Sequence, residues 1–153
     1  MSIRLSAPVT VTPQTIATAT LSVETKGEGF VEITREVKQF VAQAAAHNGA
    51  LLVYLRHTSA SLAIQENADS DVQTDLTTAL RRLAPEDAGW IHTVEGPDDM
   101  PSHVKAMLTG VSLQVPVIDG ELALGTWQGI FLIEHRTRPH RREIILQFAG
   151  SRR

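Results

Sequence analysis

Cysteine is absent from the 153-residue chain. That excludes disulfides, thiolate metal sites and cysteine nucleophiles, so a bound metal must use imidazole nitrogen and carboxylate oxygen. Aromatic residues make up only 5%, which leaves few platforms for stacking bases and argues against nucleic acid as a partner. No apolar run reaches the roughly 18 residues of a spanning helix, so no membrane segment is expected. The start, Met1-Ser2-Ile3-Arg4-Leu5-Ser6, lacks the long apolar core of a secretory signal, and a cytoplasmic protein is expected. Also missing are G-x-x-x-x-G-K-S/T, G-x-G-x-x-G, H-E-x-x-H and G-x-S-x-G. Their absence argues against nucleotide hydrolysis, dinucleotide redox chemistry and standard serine hydrolysis.

What is present fits one domain of ordinary size, with 42% hydrophobic and 20% charged residues. The net charge of −3 hides an asymmetry. Arg136, Arg138, Arg141, Arg142, Arg152 and Arg153 stand against Glu143 alone, a local +5, so the other 135 residues carry −8. An arginine cluster beside an acidic body favours a discrete anion such as a phosphate ester; the pI near 6.0 speaks against general nucleic-acid binding. A solvated basic end is the plainer alternative.

Residues 14 to 25 are β-branched and alternating, and predict a strand. After a turn at Gly27 and Gly29, the helical spacing of Ile33, Val37, Phe40, Val41, Ala44 and Ala45 predicts a helix, with Thr34 as N-cap and Asn48-Gly49 as its stop. The apolar run 50 to 56 suits a strand buried on both faces. A second helix is expected from Asp69 or Ser70, with Val72, Leu76, Ala79, Leu80 and Leu83 on one face and Pro85 as its stop. Ser112–Val117, Glu121–Leu124, Thr126–His135 and Arg142–Ala149 read as strands, with Asp119-Gly120 as a hairpin turn. The expected fold is α+β: a β-sandwich-like core of mainly antiparallel strands with two helices.

The segment from Trp90 to His103 holds His92, Glu95, Asp98, Asp99 and His103. Gly96-Pro97 and Met100-Pro101 predict a loop there, and a loop so dense in ligand-type side chains is a candidate site. Alternation along Trp127–Arg136 puts Trp127, Phe131, Ile133 and His135 on one face, with His135 at the strand end. His57 follows the first buried strand in the same way, trailed by Thr58, Ser59, Ser61, Gln65, Glu66 and Asn67. Those hydroxyls, the amide and the carboxylate suit a substrate's oxygens or a metal-bound water. Three imidazoles, His92, His103 and His135, with one open position, would hold zinc or a similar divalent ion, with Asp99 or Glu95 as proton acceptor. Arg136 or Arg141 would clamp a phosphate. An acidic solvated loop, a structural His135 and turn capping by Ser59, Ser61 and Asn67 are the plainer readings of the same residues.

Three strings carry a resemblance. They are His57-Thr58-Ser59-Ala60-Ser61 with Glu66-Asn67, then Glu95 through Lys105, then Leu124 through Ile130 with Glu134-His135-Arg136. Together they resemble the YjbQ-like family of small bacterial and archaeal proteins over about residues 15 to 150, with the first 13 residues as an extension outside the pattern. The resemblance implies one α+β domain, a homotrimer, and a metal- or anion-binding pocket lined by the shared histidines. It also implies a secondary thiamine-phosphate synthase activity, in which a pyrimidine methyl diphosphate joins a thiazole phosphate and pyrophosphate leaves. The matched residues are His57, Ser59, Glu66, Asn67, Asp99, His103, Trp127, Gln128, His135 and Arg136; the match around His92 is looser. The reading that results is a metal-dependent enzyme for a small phosphorylated or anionic metabolite. In it Asp99, His57 and Glu66 are catalytic, and Ser59, Asn67, Trp127, Gln128, Arg136 and Arg141 bind substrate. A non-catalytic trimeric binder of a metabolite or metal is the alternative.

Overall fold

The computed structural model describes residues 2–153. In chain order the elements are β1 (Thr15–Glu24), β2 (Gly29–Glu32), α1 (Thr34–Gln43), β3 (Ala46–Leu55), β4 (Ala60–Glu66), α2 (Ser70–Leu83), α3 (Asp99–Thr109), β5 (Ser112–Ile118), β6 (Glu121–Leu122), β7 (Gln128–Glu134) and β8 (Arg141–Arg152). They form a five-stranded sheet, β1-β8-β3-β5-β6, and a three-stranded sheet, β2-β7-β4. Every pairing is antiparallel. The fold is α+β, as the alternation of the strands and the helical spacings require.

The sheets face each other across one apolar core. Leu51, Val53, Leu55, Val115, Ile144, Leu146 and Phe148 point in from the larger sheet, and Leu62, Ile130 and Leu132 from the smaller. The outer face of the smaller sheet is covered by α2 and α3, while α1 packs on β3, β6, β7 and β8. The resulting order is sheet, sheet, helices. It makes β7 the most enclosed strand, with every residue from Gly129 to Glu134 buried.

Several local expectations change. Asn48-Gly49 does not end α1; Ala45 does, at φ 49°. Gly49 lies inside β3 opposite Gly150 of β8. A Cβ there would sit 2.3 Å from the Ala149 carbonyl oxygen, so close backbone approach requires glycine. The Thr34 hydroxyl does not cap its helix either. It donates to Glu32 and accepts the Ile130 amide, both at 2.8 Å, tying α1 to β7. β3 is buried on one face only, since Tyr54 is 44% exposed. Asp119 and Gly120 do make the β5–β6 turn, at φ 51° and 87°, as a two-residue hairpin demands. Asp69 caps α2 by accepting the Asp71 amide at 2.9 Å.

The largest departure is a third helix. The loop expected through His103 ends at Asp98, and α3 starts at Asp99. Pro101 falls in its first turn, where an amide hydrogen has no helical acceptor to lose. Proline there marks a helix start, not a break.

One buried ion pair pins the two sheets at the end nearest α3. Arg142 of β8 donates to both carboxylate oxygens of Glu134 of β7, and its Nη2 also donates to Ser59 Oγ. Burial alone would raise the Glu134 carboxyl. Bonds from Arg142, the Arg136 amide and Thr25 outweigh it and hold the group below the usual carboxylate range. Glu134→Ala should cost about 3–5 kcal/mol in denaturant unfolding, because it leaves a buried guanidinium without its partner. Adding Arg142→Met to that variant should recover most of the loss.

Candidate metal centre

Asp99 is the first residue of α3 and is 2% exposed. His103 lies one turn on, so the i, i+4 spacing sets both on one helix face. His92 arrives from the preceding loop, which Trp90 anchors by donating its indole N–H to the Pro85 carbonyl at 2.8 Å. Asp99 Oδ2 stands 2.8 Å from His92 Nε2 and 3.2 Å from His103 Nε2. The ring centroids of the two histidines are 5.6 Å apart. One donor atom from each residue lies within 4.8 Å of the others, a set that a single ion can span.

The other carboxylate oxygen of Asp99 accepts from Arg136 Nη1. The same guanidinium donates to Asp98 Oδ2 at 3.1 Å and to the Glu95 carbonyl at 2.8 Å. Asp98 also accepts from the Thr137 amide and hydroxyl, at 2.9 and 3.1 Å. Arg136 therefore locks the start of α3 and the loop before it.

The protonation of His103 follows from its partners. Its Nδ1 is 2.9 Å from the carbonyl of Thr58, which can only accept, so Nδ1 carries a proton. A backbone carbonyl fixing one ring nitrogen while the other faces out is the usual arrangement of a metal-bound histidine. In the neutral ring the bare Nε2 lone pair then opposes a lone pair of Asp99 Oδ2. A cation among His103, Asp99 and His92 relieves that repulsion, so the donor set fits a divalent ion.

The structure does not bring His135 into this set. It follows β7 on the face toward α3, is 2% exposed, and its Nε2 meets Ser61 Oγ at 2.8 Å. Burial first, and the Lys105 charge next, pull its imidazole down to about 4. Asp99 stands where the third imidazole was expected, because β7 and α3 present their side chains to different spaces. His57 lines a groove of about 720 Å³ together with His103, Thr58, Arg56, Tyr54 and Met107. Its Nε2 accepts the Glu143 amide at 2.8 Å, and burial and Arg142 lower its pKa. Ser59, nearby, accepts from Arg142 at 3.0 Å.

The remaining expected residues lie elsewhere. Glu66 pairs with Gln128 and Ala60 with Glu134 across β4 and β7, which puts the two ends about 20 Å apart at ~3.4 Å per residue. At the far end Glu66 accepts the Asp69 amide before α2, Asn67 donates to Glu32, and Gln128 accepts the Gly125 amide. Trp127 there is 63% exposed. Arg141 bonds Ser22 on the exposed edge of the larger sheet. The arginine cluster thus disperses: Arg136 to α3, Arg142 to the interior, Arg141 to Ser22 and Arg153 to the Asp119 carbonyl. Sequence reasoning missed the Thr58 carbonyl, for which backbone chemistry leaves no signal. It also missed the pairing of Asp99 with His103, which the i, i+4 spacing of a helix starting at Asp99 would have shown.

The chain matches the family model described as UPF0047 protein YjbQ-like over residues 19–151. It belongs to that family. The UPF0047 protein sll1880 of Synechocystis is 46% identical over 132 residues, covering 86% of this chain and 90% of its own. The UPF0047 protein YjbQ of Salmonella typhimurium is 42% identical, with coverage of 86% and 96%. Among solved structures, a YjbQ/UPF0047 protein from Clostridium acetobutylicum superposes with a TM-score of 0.80 at 35% identity, covering 85% of this chain and 98% of its own. A protein from Aeropyrum pernix gives a TM-score of 0.82 at 28% identity, with coverage of 88% and 99%. The YjbQ-like match contains every residue of the His92, Asp99 and His103 set and leaves the first 18 residues outside.

The Asp98 carboxyl offers a test of the lock. Burial would raise it, but Thr137 and Arg136 bring it from 3.8 down to about 2. Its stabilisation is present above pH 3.8 and fades as pH falls toward 2. Asp98→Asn should be less stable than the parent at neutral pH, and its unfolding free energy should vary less between those two pH values. Parallel acid limbs for the two proteins would contradict the assignment.

Proposed function

We propose that this chain is a metal-dependent enzyme acting on a small phosphorylated or otherwise anionic metabolite. His92, Asp99 and His103 hold the divalent ion, and zinc fits the nitrogen and carboxylate donors. The observation that carries this reading is the His103 ring: Nδ1 is committed to the Thr58 carbonyl while Nε2 faces a buried carboxylate. An ion with an open position there would supply Lewis acidity toward a substrate oxygen or a bound water.

The protein's own residues give that chemistry its setting. Arg136 keeps Asp99 oriented. The groove beside His103 admits substrate, with Arg56 and His57 on its wall and Tyr54 and Met107 offering apolar surface. Burial and Arg142 lower the His57 pKa, and with its Nε2 lone pair taken by the Glu143 amide the ring keeps its hydrogen on Nδ1, as a donor for a substrate oxygen. A secondary thiamine-phosphate synthase activity and a homotrimeric assembly belong to this reading through the resemblance, and a cytoplasmic location through the start of the chain, which lacks a secretory apolar core. No helix is long and apolar enough to cross a membrane.

One observation favours the second reading, a non-catalytic trimeric metabolite or metal binder. Glu66 and the Asn67, Trp127 and Gln128 group sit at the opposite end of β4, so one chain gathers few catalytic groups at the ion.

Metal analysis and zinc titration of the purified protein decide the central point. One ion per chain is expected, with affinity falling at least about tenfold in His103→Ala and in His92→Ala. His135→Gln should bind zinc normally. Absence of a stoichiometric ion, or unchanged affinity in His103→Ala, would sink the proposal. Turnover of phosphorylated metabolites by the loaded protein then separates the enzyme from the binder.

A further inference from the structure

The segment from Ser2 to Thr12 alternates without a break. Ile3, Leu5, Ala7, Val9 and Val11 are apolar, and polar residues or Pro8 stand between them. Period two is the pattern of a strand with one buried face. Here nothing covers that face. Leu5 is 97% and Val9 86% exposed, and among the described residues no backbone hydrogen bond joins residues 2–13 to the rest of the chain. The YjbQ-like match starts at residue 19, so this arm lies outside the family pattern.

The edge of the larger sheet has the complementary lack. β1 pairs with β8 on one side, and its other side is open along ten residues. Exposed edges are usually guarded by lysine, by proline or by being short. β1 contains no lysine and no proline, and it is longer than the other edge strands, β2, β4 and β6. Its inward side chains Ala17, Leu21 and Val23 are only partly buried, because no further strand covers the rim of the core there.

A tight turn cannot lay the arm on the β1 edge of its own chain. Gln14 already bonds the Gly150 carbonyl at 2.8 Å, so the reversal would fall on Thr12-Pro13. A two-residue hairpin turn there needs a β-branched threonine at positive φ. It would also set Val11 opposite Gln14 and turn the apolar side chains to the outer face of the sheet. A three-residue turn needs Gln14 in the left-handed region, and among the described residues the non-glycine positive φ values belong to Ala45 and Asp119. The β1 edge of a second copy carries no such restriction.

Proline sets the direction as well. The Thr25 amide bonds the His140 carbonyl and the Arg56 amide bonds the Glu143 carbonyl, each in register with its ladder. Val23 and Arg142 therefore face each other, and Ile16, Thr18, Thr20, Ser22 and Glu24 present their backbone groups to the open edge. An antiparallel strand with its apolar side chains inward would aim Pro8, which lacks an amide hydrogen, at that edge. A parallel strand aims Ile3, Leu5, Ala7, Val9 and Val11 at it, each with an amide hydrogen. It turns Pro8 and Arg4 outward, where they guard the new edge. We propose that the arm of one copy adds to the β1 edge of a second copy, as a parallel sixth strand of its larger sheet. The contact is head-to-tail, so in a closed ring every copy donates one strand and receives one.

The chain has no cysteine, so Ser6→Cys combined with Thr20→Cys gives one thiol on the arm and one on β1. A short bis-maleimide should join separate chains, read as dimers and larger species in denaturing electrophoresis. In amide exchange of the full chain, Leu5, Ala7 and Val9 of the arm and Thr18, Thr20 and Ser22 of β1 should exchange at least about tenfold more slowly than Arg4, Ser6 and Thr10. Leu5→Asp with Val9→Asp, both on the exposed arm, should abolish the cross-link and the protection together. Cross-links confined to single chains, no cross-link, or a cross-link that survives the two aspartates overturns the proposal. So does free exchange at Thr18, Thr20 and Ser22, or protection of Arg4, Ser6 and Thr10 in place of Leu5, Ala7 and Val9.

Discussion

Arg136 leaves the end of β7 and lays its guanidinium across the first turn of α3. A cation at a helix N-terminus runs against the macrodipole. It is tolerated because Asp98 and Asp99 stand there, carboxylates that suit the dipole and that burial would otherwise penalise. Each side needs the other. Without the guanidinium, Asp99 would be a buried carboxylate with one oxygen left unpartnered. With it, one oxygen of Asp99 is committed to Arg136 and the other is turned to His92 and His103. The loop before α3, the tilt of the helix and the donor set all follow from this contact.

A second ion pair, Arg142 with Glu134, sits beside the first on the same strand end. Buried pairs of this kind add little net stability over well-packed apolar residues. What they add is geometry. Glu134 points between the sheets, His135 points toward α3, and Arg136 reaches over its N-terminus, so three consecutive residues serve three separate spaces. Ser102 of α3 closes the arrangement by donating to the His135 carbonyl at 2.9 Å. The helix is thus held in register by charge and hydrogen bonds at one end and by packing on β4 along its length.

This geometry explains what the sequence could and could not convey. Periodicity is a local property, and it located β1, α1, α2, β5 and the Asp119-Gly120 turn within a few residues. α3 was hidden because Gly96-Pro97 and Pro101 bracket its start, and a proline in a first turn looks like a breaker unless the cap is recognised. β4 was hidden because Ala60-Ser61-Leu62-Ala63-Ile64 is short and mixed in polarity; its inner face packs on the core while Ser61 serves His135. The concentration of ligand-type residues from His92 to His103 was legible as composition. Which of them meet was not, since that depends on the helical phase from Asp99 and on a carbonyl of Thr58, 45 residues away along the chain. The arginine run misled for the same reason: Arg136, Arg141 and Arg142 are close in sequence but lie across a turn and on alternate faces of β8, and their charges end in different places.

The outcome is that α3 acts as a partition with unlike chemistry on its two flanks. On one, His103 joins His92 and a buried carboxylate in a setting rich in electron pairs, suited to a cation. On the other, Lys105 is buried against Glu28, a carboxylate it shares with Arg81, a setting in which charges are already paired. The two residues are two apart in sequence, about 200° apart around the helix at 100° per residue. No loop could hold such opposed environments within one turn, because each demands desolvation and a fixed direction for its side chain. A helix clamped at its N-terminus by Arg136 can, which is why the chain spends a buried guanidinium there.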